Sequence, residues 1–105
     1  MEKIKVIIKR PDEEYGHMTW ISNTLENLQR TVGGFIEVLP ITSETVMIVN
    51  EEGKIKNLER NFRFGTTFPD TIRGEVIICG VDGEEFADIP FDFKAWKNLL
   101  KFWGN

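Results

Sequence analysis

The sequence predicts an α+β domain in which an antiparallel or mixed sheet of about five strands carries two packed helices, over residues 23–32 and 92–103. Three observations lead there. Apolar residues alternate with lysines near the start, apolar runs of strand length recur between turn residues, and the last segment switches to helical spacing. At 105 residues the chain is expected to be a single domain over 1–105. A chain of that size buries roughly two-thirds of its unfolded surface without help from a disulfide or a metal.

Ile4, Val6 and Ile8 alternate with Lys3, Lys5 and Lys9, giving a first strand with a wet face that Ile7 interrupts. Pro11, Asp12, Glu13 and Glu14 make a turn. Residues 15–21 mix aromatic and β-branched side chains with polar ones and form a second strand. Leu25, Leu28 and Val32 then share one side of a helix. Asn23 is its expected N-cap, Glu26 closes a capping box, and Gly33-Gly34 ends it. Residues 35–39 and 45–49 are strands, Asn50 to Gly53 is a turn, and residues 54–58 add a short strand to make a meander. Residues 59–72 read as an irregular loop. Val76, Ile77, Ile78 and Cys79 are apolar in succession, as suits a central strand covered on both faces, and residues 81–84 turn the chain. In the last helix Phe93, Trp96, Leu99, Leu100 and Trp103 form one stripe, with Lys94, Lys97, Asn98 and Lys101 opposite. Asp92 is the expected N-cap and Gly104 the stop, while Phe102 falls off the stripe.

Several of these segments together resemble a known family. They are Thr24-Leu25 through Val32-Gly33-Gly34-Phe35-Ile36-Glu37, Asn50-Glu51-Glu52-Gly53-Lys54, Ile72-Arg73-Gly74 through Gly80, and Asp82-Gly83-Glu84-Glu85-Phe86 ahead of an amphipathic helix. They are similar to the bacterial and phage family called domain of unknown function 3846, and the Val-Gly-Gly-aromatic-Ile-Glu segment is the most specific of them. That family commonly carries Leu-Pro-x-Asn-Arg after the Asn-Glu-Glu-Gly turn. Here the stretch is Leu58-Glu59-Arg60-Asn61-Phe62-Arg63, with Glu59 in place of proline and an arginine one place late. The resemblance implies a small α+β domain often encoded on phages and other mobile elements, and it supplies no activity.

The chemistry-bearing residues are sparse. With 13 basic and 17 acidic side chains the net charge is −4, which argues against nucleic acid and anionic membranes as partners. No apolar run approaches the ~20 residues that span a bilayer, so a cytoplasmic, unanchored protein is expected. Cys79 is the single cysteine and His17 the single histidine, so neither a disulfide nor a multi-cysteine metal site is expected, and no cofactor. Cys79 sits in an apolar strand that raises a thiol's pKa instead of activating it. Asp82, Glu84, Glu85, Asp88 and Asp92 lack calcium-loop spacing and read as a solvated turn and a helix N-terminus. No catalytic residue is expected.

Two groups remain. Arg60, Asn61, Arg63 and Arg73, with Phe62, Phe64 and Phe68, could form a binding loop for a nucleotide or other small anion. Trp96, Phe102 and Trp103, with Trp20, offer more aromatic surface than a domain of this size needs and are candidate partner-binding residues. The leading expectation is a small non-enzymatic accessory protein, from a phage or mobile element by the resemblance, that binds a host protein. The alternative is a module that sequesters a small anion through the arginine loop, and self-association is open in both.

Overall fold

A computed structural model describes residues 2–105. The elements run β1 (Lys3–Lys9), β2 (His17–Ser22), α1 (Leu25–Val32), β3 (Ile36–Pro40), β4 (Thr45–Asn50), β5 (Arg60–Phe64), β6 (Asp70–Arg73), β7 (Val76–Asp82), β8 (Glu85–Ala87) and α2 (Phe93–Phe102). The main sheet has the order β2-β1-β7-β4-β3, with β8 also paired to β7, and all of its pairings are antiparallel. β5 and β6 form a separate antiparallel hairpin.

Both faces of the sheet are covered, which is why its middle strands read as near-continuous apolar runs. On one face α1 packs Leu28 and Val32 against Ile4, Val6, Ile8, Val46, Ile48, Ile77 and Cys79. On the other, α2 and the hairpin bury Trp96, Leu100, Trp103, Phe62 and Ile72 against Ile7, Met47, Val49, Val76 and Ile78. Period-two alternation explains the split, since Ile4, Val6 and Ile8 leave one face of β1 while Ile7 leaves the other. The three central aromatics interlock. Phe62 stacks on Trp103 at 6.1 Å and meets Trp96 edge-on at 5.8 Å, an arrangement aromatic quadrupoles favour. Trp96 is fully buried, and its indole Nε1–H donates to Tyr15 O at 2.7 Å.

Helix ends follow capping chemistry. Thr24, not Asn23, caps α1, its hydroxyl accepting from Asn27 N at 3.2 Å; the Asn23 side chain instead donates to Phe86 O. Gly33 ends α1 in the left-handed conformation, as the glycine pair predicts. Asp92 caps α2 through Ala95 N at 2.8 Å. Gly80 has a packing role, because a Cβ there would strike the Asp88 carbonyl where β8 crosses β7.

Other expectations are corrected. Residues 54–58 are not a strand but helical turns, with Lys56 N bonded to Glu52 O and Leu58 N to Gly53 O. These turns follow directly on β4 and pair with no strand, and Ile55 is 84% exposed. The stretch 59–72 is not irregular, because it supplies the β5–β6 hairpin, whose Phe62 and Ile72 pair across the ladder and face the core. Lys9 is not on a wet face. It is 3% exposed, beneath the hairpin, and its ammonium donates to Glu13 O at 2.7 Å and Asn61 Oδ1 at 2.6 Å. Burial pulls its pKa below the ordinary lysine value, partly offset by the charges of Glu13 and Asp12.

Candidate functional site

The best-formed concavity is a groove of about 380 Å³ between the edge of the main sheet and the hairpin. β3 and β4 supply Glu37, Leu39 and Val49, the turn after β4 supplies Glu51, Lys54 and Ile55, and β6 supplies Asp70, Thr71, Ile72 and Arg73. Val49 and Ile72 are buried and Leu39 half-buried, so the floor is apolar, while the rim carries charges of both signs. Lys54 Nζ meets Asp70 Oδ1 at 2.6 Å across one end. That bond, with a second from Thr71 N–H, holds the Asp70 carboxyl below the usual carboxylate range against the opposing effect of burial.

β3 leaves its outer side open. Glu51 N donates to Phe35 O and Ile41 N to Thr45 O, and Glu37 and Leu39 lie opposite Val49 and Met47 between them. In an antiparallel ladder alternate residues bond to the same neighbour, so Ile36 and Val38 direct their N–H and C=O groups away from the sheet. Pro40 has no N–H and ends that row.

The four candidate anion-binding residues are divided among different tasks. Asn61 is structural. It occupies the register shift between Arg60 and Phe62, and its side-chain amide donates to Lys9 O at 2.8 Å and Gly74 O at 2.7 Å while accepting from Lys9 Nζ. A bulge leaves ladder groups unpaired, and here one carboxamide fastens the hairpin to β1. Arg73 lines the groove and donates from Nη1 to Leu58 O at 3.0 Å. Arg60 lies opposite Arg73 in the hairpin, and both Arg60 and Arg63 are exposed. The Arg63 side chain passes beside Gly104, while the Arg73 guanidinium is tied to Leu58 O. The Arg63 backbone is held by Asn105, whose carboxamide accepts from Arg63 N at 2.9 Å and donates to Arg63 O at 2.8 Å.

The aromatic candidates also part company. Trp96 and Trp103 are buried at 0% and 6% exposure, so as partner-binding residues they are corrected to core residues joining α2 to the hairpin. Phe102, off the stripe, is 71% exposed. Nothing in the sequence marks the groove, because Leu39, Val49 and Ile72 look like ordinary core positions and only the hairpin's placement creates the space beside them.

The reactive residues have ordinary settings. His17 stands on the edge strand β2, half-exposed, with Nδ1 2.8 Å from Glu13 Oε2. Burial raises the Glu13 carboxyl's pKa, but bonds from Arg10 N and His17, with the charges of both, outweigh it and leave the group below its usual range. Cys79 is buried on the α1 side of the sheet, and desolvation pushes its thiol up to about 12. Asp88 Oδ1 accepts from Lys5 N at 2.8 Å, so within the acidic stretch both Asp88 and the capping Asp92 have backbone partners. Among the described residues no three His, Cys, Asp or Glu side chains converge as metal ligands, and no helix is long and apolar enough to cross a membrane.

A family model described as Domain of unknown function (DUF3846) matches residues 4–101. The chain belongs to that family. The match runs from β1 into α2, so the DUF3846 span takes in both layers over the sheet and the groove. No curated protein and no solved structure matches the chain. Within this DUF3846 chain, Asn61 stands where the motif quoted above has its asparagine, and it is this side chain that fastens the hairpin to β1.

Proposed function

We propose that this protein is a non-catalytic accessory factor that works by holding an extended segment of another protein in the groove between β3 and β6. In the mobile-element setting that the resemblance implies, that partner is a host protein. The make-up of the groove carries this reading. An apolar floor of Leu39, Val49 and Ile72 beside a charged rim and the open Ile36 and Val38 backbone matches what an extended peptide presents, which is alternate side chains and a row of donors and acceptors. Ile55, at 84% exposure, is an apolar side chain at the rim with no partner of its own.

Selection of a displayed random peptide library on the purified protein tests the proposal. Enriched peptides with apolar residues at alternate positions are expected, and their binding should be lost in both Ile55→Glu and Thr71→Arg, which alter the rim without touching the core. No enrichment, or enriched peptides indifferent to both changes, contradicts it.

A second reading rests on the hairpin's outer face. Phe62 and Ile72 face inward, so alternation puts Arg63 and Arg73 outward with Arg60 across from Arg73, and among the described residues none of the three forms an ion pair. In a chain of net charge −4 that is a local basic patch able to take a phosphate or carboxylate. A thermal-shift screen of nucleotides and inorganic phosphate against wild type and Arg60→Glu/Arg63→Glu decides it. Stabilisation of wild type alone supports an anion site, and no response from wild type removes it.

A further inference from the structure

The main sheet has two open edges, and they differ. β3 offers only the short Ile36–Val38 row before Pro40, open to a peptide, and its Glu37 disfavours pairing with the same strand of a second acidic copy. β2, His17–Ser22, contains no carboxylate, lysine, arginine, proline or glycine, and its centre, Thr19-Trp20-Ile21, is made of strand-favouring residues. Asn23 N donates to Glu2 O and Ile89 N to Lys5 O, so even-numbered β1 residues bond to β2 and odd-numbered ones to the interior. It follows that Met18, Trp20 and Ser22 direct their N–H and C=O groups off the free edge.

The geometry points to a symmetric dimer in which the β2 strands of two copies pair antiparallel about a two-fold axis at Thr19. Three features select a second copy as the occupant. The edge is uncharged, so two identical acidic molecules approach with no like charges on the paired strands; Lys3 and Lys5 are set back on β1, and Glu13 is engaged by His17 at 2.8 Å. A twofold at Thr19 places the outward-facing Met18 of each strand opposite Trp20 of the other, so the free N–H and C=O groups of both residues meet in hydrogen-bonded pairs. The side chains are complementary in the same register. Trp20 projects from the α2 face of the sheet at 55% exposure, and on that face Met18, Ile89, Pro90, Phe91 and Phe93 line a hollow of about 300 Å³ to which Lys5 and Asp92 add one charge of each sign. Trp20 of each copy therefore lies over the Met18 hollow of the other, an aromatic knob meeting a largely apolar hollow twice over. Registers centred on Trp20 or on Met18 would set like against like and leave both hollows unfilled.

Sedimentation as a function of concentration, together with site-directed cross-linking, tests the dimer. The wild type should reach twice the 12.2 kDa chain mass at high concentration. Trp20→Lys should weaken association by about thirtyfold or more, the loss expected when a central tryptophan anchor is removed. Thr19→Cys reports the register directly. Facing residues of a non-hydrogen-bonded pair sit about 4.5 Å apart at Cα, within disulfide range, and native Cys79 is buried. Oxidised Thr19→Cys should become a covalent dimer far faster than Glu44→Cys, a control on an exposed loop. A chain that stays monomeric at every concentration, a dimer that survives Trp20→Lys, or a Thr19→Cys that links no faster than the control would each overturn the proposal. If Trp20→Lys fails to fold, the Thr19→Cys comparison decides alone.

Discussion

Asn61→Ala is the substitution that most sharply separates a structural role for this residue from a ligand-binding one. It deletes a carboxamide that donates to Lys9 O and Gly74 O at 2.8 and 2.7 Å and accepts from Lys9 Nζ at 2.6 Å. Lys9 itself is 3% exposed, so its ammonium cannot turn to water without opening the hairpin. A bond to a charged group contributes about 1.5–3 kcal/mol and each neutral one about 0.5–1.5, so the variant should lose about 4 kcal/mol. Set against a total stability of about 5–15 kcal/mol, that is a large fraction. For a domain of this size it lowers Tm by about 15–30 °C. Urea and thermal unfolding followed by tryptophan fluorescence give both numbers. A double-mutant cycle with Lys9→Met should show a coupling above about 1 kcal/mol, since the two side chains touch.

Titration adds a signed test of the same contact. Burial lowers the Lys9 pKa in the folded chain, so between that value and the ordinary 10.5 the unfolded chain holds more protons and stability rises with pH. The Lys9 contribution is complete above 10.5 and is lost as pH falls through the folded pKa. Wild type should therefore gain on Lys9→Met as pH climbs toward 10.5. An Asn61→Ala variant within about 0.5 kcal/mol of wild type, or one uncoupled from Lys9, rules out the structural role of this carboxamide.

Three further outcomes are expected. Cys79 should resist a thiol reagent in the folded protein and react at once in denaturant, because burial raises its thiol to about 12; labelling at the same rate in both states would contradict this. Trp103→Ala should cost about 3–5 kcal/mol in urea unfolding whereas Phe102→Ser stays within about 0.5, since Trp103 is buried and Phe102 exposed. Asp70→Asn should cost under about 1 kcal/mol near neutral pH, since its partner Lys54 is exposed, and the cost should vanish as acid titrates Asp70 below its ordinary value of 3.8.

Much of the fold was legible in the sequence wherever one local rule acted alone. Consecutive apolar residues from Val76 to Cys79 located the centre of the sheet, and the stripe from Phe93 to Trp103 located α2. Legibility failed where tertiary context overrode local pattern. Lys9 alternates like a solvent-facing residue, yet the hairpin arrives from fifty residues away to cover it, and Asn61 supplies the acceptor that makes the burial tolerable. The hairpin was hidden because its bulge at Asn61 breaks the period-two pattern just where β5 begins. Trp96 and Trp103 had helical spacing that fits a core stripe, but composition alone could not say that Phe62 would stack on Trp103 and meet Trp96 edge-on. The candidate site was the least legible, since a groove is a space between elements, and the residues facing it were spread from Glu37 to Arg73.

Chemical-shift mapping of the protein with a peptide taken from the displayed library locates the bound segment residue by residue. Amide signals from Glu37, Leu39, Ile55, Thr71 and Arg73 should move together as peptide is added, while those of α1 stay in place. Shifts that gather instead on Arg60 and Arg63, or on α1, with the signals of β3 and β6 unmoved, would contradict it.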